Sequence, residues 1–568
     1  MSNGADVWSR LGDQKLRQSL DKESFQIIQP LLPVIDQVPL PLREDMQRLG
    51  LIYSFLNAEQ LFKPSFRKEI FNCLYENELQ DLAELLSIDE WQRDEIIKVM
   101  VKIPFGPNPK ARVISQFLGV PDWLLDLHDE AVSDPPTQSI PWPVKYQALS
   151  KHNSDAAMEY NYAGRRPFKR LKSYQNRVYS EALEFLNKNN SRLILNMPTG
   201  TGKTRTCMEL VCAFLSENPT KSVVWLADKV ELIDQACLEF HDTWEYLGDR
   251  EVPIQRWVKS NPIADEGSSE FICATFGTLL SRGEGLKKIN IGLVVVDEAH
   301  MAVAEKWREK MENTVIQLRN STRVIGLTAT PMRTASGESE KLVDWFQNNR
   351  LVIREQGNSN LIDWLETNEY LSLANVDTVT AEVEMELTAS ERKKLNEADG
   401  DFSKAFLKKL ASKVKFNSVI VNKLENLLRE DPGRRILYFG TTVQQSKMVM
   451  CWLRMKGYSA FHIDGGTDKT IRKSGIEAFR EGRLQVLCNY GVLTTGFDAP
   501  LIDVVVIARP TSSGVTYHQM VGRGLRGPKL GGTSQCLIID VDFNLQNHGS
   551  KRRQLYSYYR DLWSESDD

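Results

Sequence analysis

Three clusters of residues in this chain have the types and spacing to do chemistry. The first is Pro198-Thr199-Gly200-Thr201-Gly202-Lys203-Thr204, a glycine-bearing loop that ends in a cation and a hydroxyl. Backbone N–H groups at a helix start point at anionic oxygens, and the helix dipole favours such anions. Lys203 adds a point charge for terminal phosphates, and the Thr204 hydroxyl can sit on Mg2+. The second cluster is the adjacent carboxylate pair Asp297-Glu298. One carboxylate can hold Mg2+ through water opposite Thr204, while its neighbour orients an attacking water and takes its proton. Asp297 is expected in the metal role and Glu298 as the base. The third is Gln519-Met520-Val521-Gly522-Arg523-Gly524-Leu525-Arg526, which puts two arginines three apart on one helical face. An arginine brought to a γ-phosphate from another domain stabilises transition-state charge. The glycines at 522 and 524 argue for close approach to a neighbour, because helices carry glycine at a cost. Phosphoanhydride hydrolysis is the chemistry that uses all three clusters, with ATP and Mg2+ as its cofactors.

The surrounding pattern supplies elements to hold these groups. Leu193 to Met197 reads as a buried parallel strand, and Thr206 to Leu215 has the apolar spacing of a helix. Strand, loop and helix are the context that distinguishes a phosphate loop from an ordinary glycine turn. Met197 stands where such a loop normally opens with glycine. Asp297 and Glu298 close the most hydrophobic strand, Ile291 to Val296. Ligands bind at the C-terminal ends of strands in open parallel sheets. A solvated strand end is the alternative for that pair taken alone, and the phosphate loop upstream argues against it.

At 568 residues, with 42% hydrophobic and 26% charged residues, the chain reads as a soluble multidomain protein. A net charge of −4 excludes a polycation, so any nucleic-acid contact must use a local basic surface. The eight cysteines form no C-x-x-C pair and lie mostly in apolar runs. They are expected as buried reduced thiols, without zinc or disulfides. No targeting signal or bilayer-spanning run stands out, so a cytoplasmic location without membrane contact is expected.

Residues 1–131 are helical in pattern and form an accessory domain, with Ser87 as a cap before Asp89-Glu90-Trp91. Val113 to Pro121 has the rhythm of a helix ended by glycine and proline, which suits a packed hairpin better than a DNA-reading helix. This domain is a possible docking point for a protein partner. Proline- and glycine-bearing residues 132–167 read as a linker. Residues 168–350 alternate strands and helices, 351–415 read as a connecting segment, and 416–545 form a second such series. The tail 546–568 interleaves bases and aromatics, which suits single-strand stacking or a docked helix. The fold class is therefore α/β, two tandem parallel-sheet domains after a helical one. Gln175, whose amide both donates and accepts, is the candidate to read adenine.

In order and content, Met197–Thr204, Asp297–His300, Thr328–Thr330, Thr494–Asp498 and Gln519–Arg526 resemble motifs I, II, III, V and VI of superfamily 2 helicases of the D-E-A-H type. The resemblance spans about residues 168–545 and implies two RecA-like domains. Within the superfamily, Val492–Pro500 and Val521–Arg526 look most like bacterial RadD-type DNA-repair helicases, and restriction-enzyme translocase subunits are similar too. It implies that Arg523 and Arg526 reach the nucleotide with Gln519 beside them, that Gly496 and Asp498 line its pocket, and that His300, Thr328 and Thr330 couple it to the strand. It also implies that Thr275, Thr278, Thr441, Thr442 and Thr494, with the 227–235 region, touch nucleic-acid backbone. Single-stranded or forked DNA is the implied partner, moved along 3′ to 5′, in repair or anti-phage defence. The first 130 residues have no counterpart in that resemblance. An RNA helicase, or an ATP-gated switch that never separates strands, are the alternative readings. A fused nuclease is a poorer one, since no paired-acid and lysine site is found; His462-Ile463-Asp464 reads as a loop after a strand.

Overall fold

The computed structural model describes residues 61, 63–90, 92–103, 105, 108–120, 125, 158–160, 170–188, 191–258, 270–299, 305–316, 322–329, 342, 344–354, 361–385, 387–396, 401–493, 499, 501–511 and 513–545. Of the accessory region, the described residues between 63 and 120 are helical, as their spacing predicts. Helices α1 (Pro64–Asn72), α2 (Glu76–Leu85), α3 (Arg93–Lys102) and α4 (Pro109–Phe117) bury Ile70, Phe71, Leu82, Ile96 and Ile114. Asn108 caps α4 by accepting from Ala111 N at 2.9 Å, and Pro109 occupies its first turn, where a missing N–H costs nothing. Ser87 is not the cap expected of it. It turns the chain after α2 with φ 53°, and α3 starts beyond Gln92. The apolar core of these helices runs without a break into one layer of the second sheet domain, so the helical module is docked on that domain.

The first sheet has eight strands in the order β1-β4-β5-β3-β6-β7-β2-β8. They are β1 (Met158–Tyr160), β2 (Arg192–Asn196), β3 (Ser222–Ala227), β4 (Pro253–Trp257), β5 (Phe271–Thr275), β6 (Ile291–Asp297), β7 (Arg323–Thr328) and β8 (Arg350–Val352). All pair in parallel except β1, which runs antiparallel along β4. Helices α5 (Ser173–Leu186), α6 (Lys203–Glu217) and α7 (Val230–Leu247) pack with one face of the sheet through Val178, Phe214, Trp225 and Phe240. β3 and β6 are buried along their whole length, which is why they read as unbroken apolar runs.

The second sheet has six strands in the order β11-β12-β10-β13-β14-β9, all parallel. They are β9 (Leu373–Met385), β10 (Ile436–Phe439), β11 (Ala460–Ile463), β12 (Val486–Asn489), β13 (Val504–Ile507) and β14 (Gln535–Leu545).

Two expected boundaries move. The stretch 132–167 is not wholly linker, because β1 extends the first sheet. The second domain starts well before 416, since β9 pairs with β14 and Phe406, Leu407 and Leu410 fill the same core as Ile420 and Leu424. What joins the lobes is a short connector around the helix Leu361–Thr367. Seven of the eight cysteines are buried. Among the described residues no helix is long and apolar enough to cross a membrane.

Candidate nucleotide-binding cleft

The phosphate loop leaves β2 between β7 and β8, and α6 begins at Lys203. Gly200 and Gly202 hold φ of 88° and 82°, left-handed values that glycine adopts without the clash a Cβ brings. A Cβ on Gly202 would also run into the Gln175 side-chain amide. The loop is braced from within and from behind. Thr201 Oγ1 donates to Pro198 O at 2.7 Å, and Thr201 O accepts from Tyr174 OH at 2.8 Å and Gln175 Nε2 at 3.0 Å. Gln175 Oε1 accepts from Lys172 N at 2.8 Å, and the residue is 4% exposed. The amide expected to read adenine therefore clamps the phosphate loop in this structure.

Asp297 ends β6, 6% exposed, with Oδ1 accepting from Glu298 N at 3.0 Å. Burial and the neighbouring Glu298 carboxylate push the Asp297 carboxyl well above its usual range, while Lys203 and Arg523 pull it back. Glu298 sits at φ 52°, a conformation that bulky residues adopt only where the surroundings impose it. The Lys203 ammonium is lowered by desolvation, supported by Glu298 and Asp297, and opposed by Arg523. Phosphate loop and acidic strand thus meet in one charged pocket. Thr328, fully buried at the end of the intervening β7, lies between them, its carbonyl accepting from Met197 N at 3.2 Å. The donor set suits Mg2+: hard oxygens from Thr204 and Asp297, with a crowded carboxylate whose charged form a divalent cation favours.

The second lobe closes over this pocket. The helix Gly514–Val521 stops at Gly522, so the two arginines do not share a helical face as expected. Arg523 follows in a turn, its N–H donating to Met520 O at 3.2 Å and its Nε to Gln519 O at 3.2 Å. The charge of Arg523 acts on both Lys203 and Asp297. Arg526 lies on the other side of the phosphate loop, near Tyr174. It bridges antiparallel to Leu371, and its charge is felt at Tyr174. A Cβ on Gly522 would lie 2.6 Å from Thr199 Cβ and Cγ2, so here the lobes touch where only glycine fits. Gly524 instead makes room for Val505 and Cys536 of its own lobe. Gly522→Ala should hold the lobes apart and lower ATP turnover about tenfold to a hundredfold, with nucleotide affinity retained; steady-state ATPase beside equilibrium binding checks this.

The expected strand-contacting residues fare unevenly. Thr275 ends β5 and caps the short helix α8 (Phe276–Arg282), accepting from Thr278 N at 3.3 Å with its hydroxyl 2.9 Å from that of Thr278. Thr442 Oγ1 caps the helix Val443–Met455 by accepting from Gln445 N at 3.1 Å. Thr441 is fully buried, donating to Ala508 O at 3.0 Å, so it ties β10 to β13 and cannot reach a bound strand in this structure. His300, Thr330, Thr494, Gly496 and Asp498 lie outside the described residues. His462-Ile463-Asp464 is a buried brace: His462 Nδ1 lies 2.9 Å from Ser446 Oγ, and Nε2 lies 3.0 Å from Asp464 Oδ2. The sequence reading overlooked Tyr174, although an aromatic directly before Gln175 was the signal for it.

Two family models match the two lobes. "Type III restriction enzyme, res subunit" matches residues 168–333, and "Helicase conserved C-terminal domain" matches 420–527. The chain is 26% identical over 377 residues to the putative ATP-dependent helicase IRC3 of Saccharomyces cerevisiae, covering 65% of this chain and 51% of that protein. It is 27% identical over 412 residues to the type I restriction enzyme EcoKI endonuclease subunit of Escherichia coli, covering 66% of this chain and 34% of that subunit. The match therefore spans about half or less of these relatives. A solved structure of S. cerevisiae Dbp5 bound to RNA and ADP BeF3 overlays 70% of this chain and 88% of that one, at 19% identity and a TM-score of 0.46. On the strength of the two matched domains, one for each sheet, the chain belongs to superfamily 2 of the helicases.

Proposed function

We propose that the chain is an ATP-driven DNA translocase or helicase whose two lobes share one nucleotide. The observation that carries the reading is the interlobe contact at Gly522, where a Cβ would lie 2.6 Å from Thr199 of the phosphate loop, with the next residue, Arg523, close enough for its charge to act on Lys203 and Asp297. Lys203 binds the terminal phosphates, Glu298 orients the attacking water and accepts its proton, and Arg523 stabilises charge developing on the γ-phosphoryl group. Thr204 and Asp297 would hold Mg2+, which would neutralise phosphate charge when bound. Cleavage removes what Arg523 holds, and the lobes part. If backbone contacts of the two lobes tighten in alternate states, the pair moves along one strand. Such contacts are salt-dependent and nearly sequence-blind.

DNA is favoured over RNA because the first-lobe family model is named for a restriction enzyme and covers the phosphate-loop lobe from α5 through β7. A relative named as an rRNA helicase matches over only 23% of this chain. A RadD-like part in repair, or in defence against foreign DNA, is the biological setting we favour, with 3′ to 5′ movement. ATPase measured with single-stranded, forked and duplex DNA, and with RNA, tests the reading. Stimulation by DNA supports it, and a response to RNA alone overturns the DNA assignment. Arg523→Ala should lower turnover about a hundredfold with nucleotide affinity nearly kept, because a transition-state contact alone is lost. Unchanged turnover would clear Arg523 of the role.

A further inference from the structure

Tyr174 is fully buried, and burial keeps its phenol protonated, so its hydroxyl is a committed donor to Thr201 O of the phosphate loop. Its ring meets two rings of the interlobe connector edge-on, Tyr370 at 4.8 Å and Trp364 at 6.3 Å between centroids. Trp364 and Tyr370 are 5.6 Å apart, and both pack against the apolar cores of both lobes. The connector then runs straight into the arginine segment. Gly527 N donates to Tyr370 O at 3.1 Å, Ser372 N to Leu525 O at 3.1 Å, and Leu371 bridges Arg526. Lys529 stands over the Tyr370 ring at 5.2 Å. Loop, aromatic joint, connector and arginine segment thus form an unbroken chain of contacts between the lobes.

We propose that Tyr174 is a positioning residue that gears the phosphate loop to the connector, so that the loop and the 525–527 segment shift together when nucleotide is bound or cleaved. The proposal rests on the nucleotide reading above. A hydrogen bond fixes one side of the gear and edge-on ring contacts the other, so either side can be disabled alone.

The test uses the full chain and three substitutions. Tyr174→Phe keeps the ring and loses the bond to Thr201 O. Tyr370→Leu keeps that bond and loses the ring contact. Trp364→Phe identifies the part of the nucleotide-dependent fluorescence change that arises at the joint, by difference from the native protein. With mant-ADP and Mg2+ as the binding probe, Tyr174→Phe and Tyr370→Leu should bind within about threefold of native and keep KM for ATP, while kcat falls about tenfold. In the Tyr174→Phe background, adding Trp364→Phe should change the nucleotide response no further. Overturning results are native kcat with the Trp364 signal kept in either variant, or a shift in affinity and KM with kcat untouched, which would mean local support of the loop only. Should the native protein itself fail to bind mant-ADP, the nucleotide reading falls; native binding with native-like Tyr174→Phe sinks the gear alone.

Discussion

Lys203→Ala is expected to lower ATP turnover about a thousandfold, the upper range for removing one preorganised charge partner from a transition state. Lys203 opens α6 directly after the left-handed Gly202, and Asp297 and Glu298 are the acids that support its charge. A terminal phosphate entering this pocket meets two carboxylates, and without the ammonium their repulsion stands against it. The loss therefore falls on binding and on the chemical step together, so kcat/KM should drop further than kcat. Single-turnover hydrolysis with excess enzyme measures the chemical step directly. Near-native hydrolysis would remove the nucleotide from the junction of β2 and α6.

Glu298→Gln should separate binding from chemistry. The amide keeps the shape at a strained backbone position, φ 52°, but cannot take a proton from water. Loss of a general base costs about 10²- to 10⁴-fold, so kcat should fall by that factor with nucleotide affinity nearly unchanged. Removing one of two adjacent carboxylates also relieves the repulsion on Asp297, which favours the charged, metal-binding form of that residue. The variant should thus accumulate the ATP-bound, closed state and hold DNA longer than the native protein does. Turnover within about threefold of native would show that another group activates the water.

What was legible in the sequence was whatever is written locally. The strand, glycine loop and helix around Lys203 needed no distant partner to be read, nor did the apolar run that ends at Asp297. What was not legible depends on pairings between remote residues. β9 was read as part of a charged connecting segment because its partner, β14, lies some 160 positions downstream. Thr441 has the hydroxyl a phosphate contact wants, but that hydroxyl is taken by Ala508 on a neighbouring strand, 67 positions away. Gln175 was assigned to adenine by its chemistry, and the structure spends its amide on the loop. The glycine at 522 was read correctly as a mark of close approach but wrongly as part of a helix. Its neighbour proved to be Thr199 of the other lobe. Arg523 and Arg526 are three apart in the sequence, yet the helix ahead of them ends at Gly522 and they part, so that the charge of Arg523 is felt at Lys203 and Asp297 and that of Arg526 at Tyr174 behind the phosphate loop.

The central claim is that the pocket is composite, completed by a guanidinium from the second lobe. A structure of the chain with ADP, beryllium fluoride and Mg2+ tests it most directly. The expected result is Arg523 within hydrogen-bonding distance of the fluoride that marks the γ-phosphate, with Lys203 on the opposite side. Arg523 turned to bulk water there and in every other nucleotide state would contradict the account.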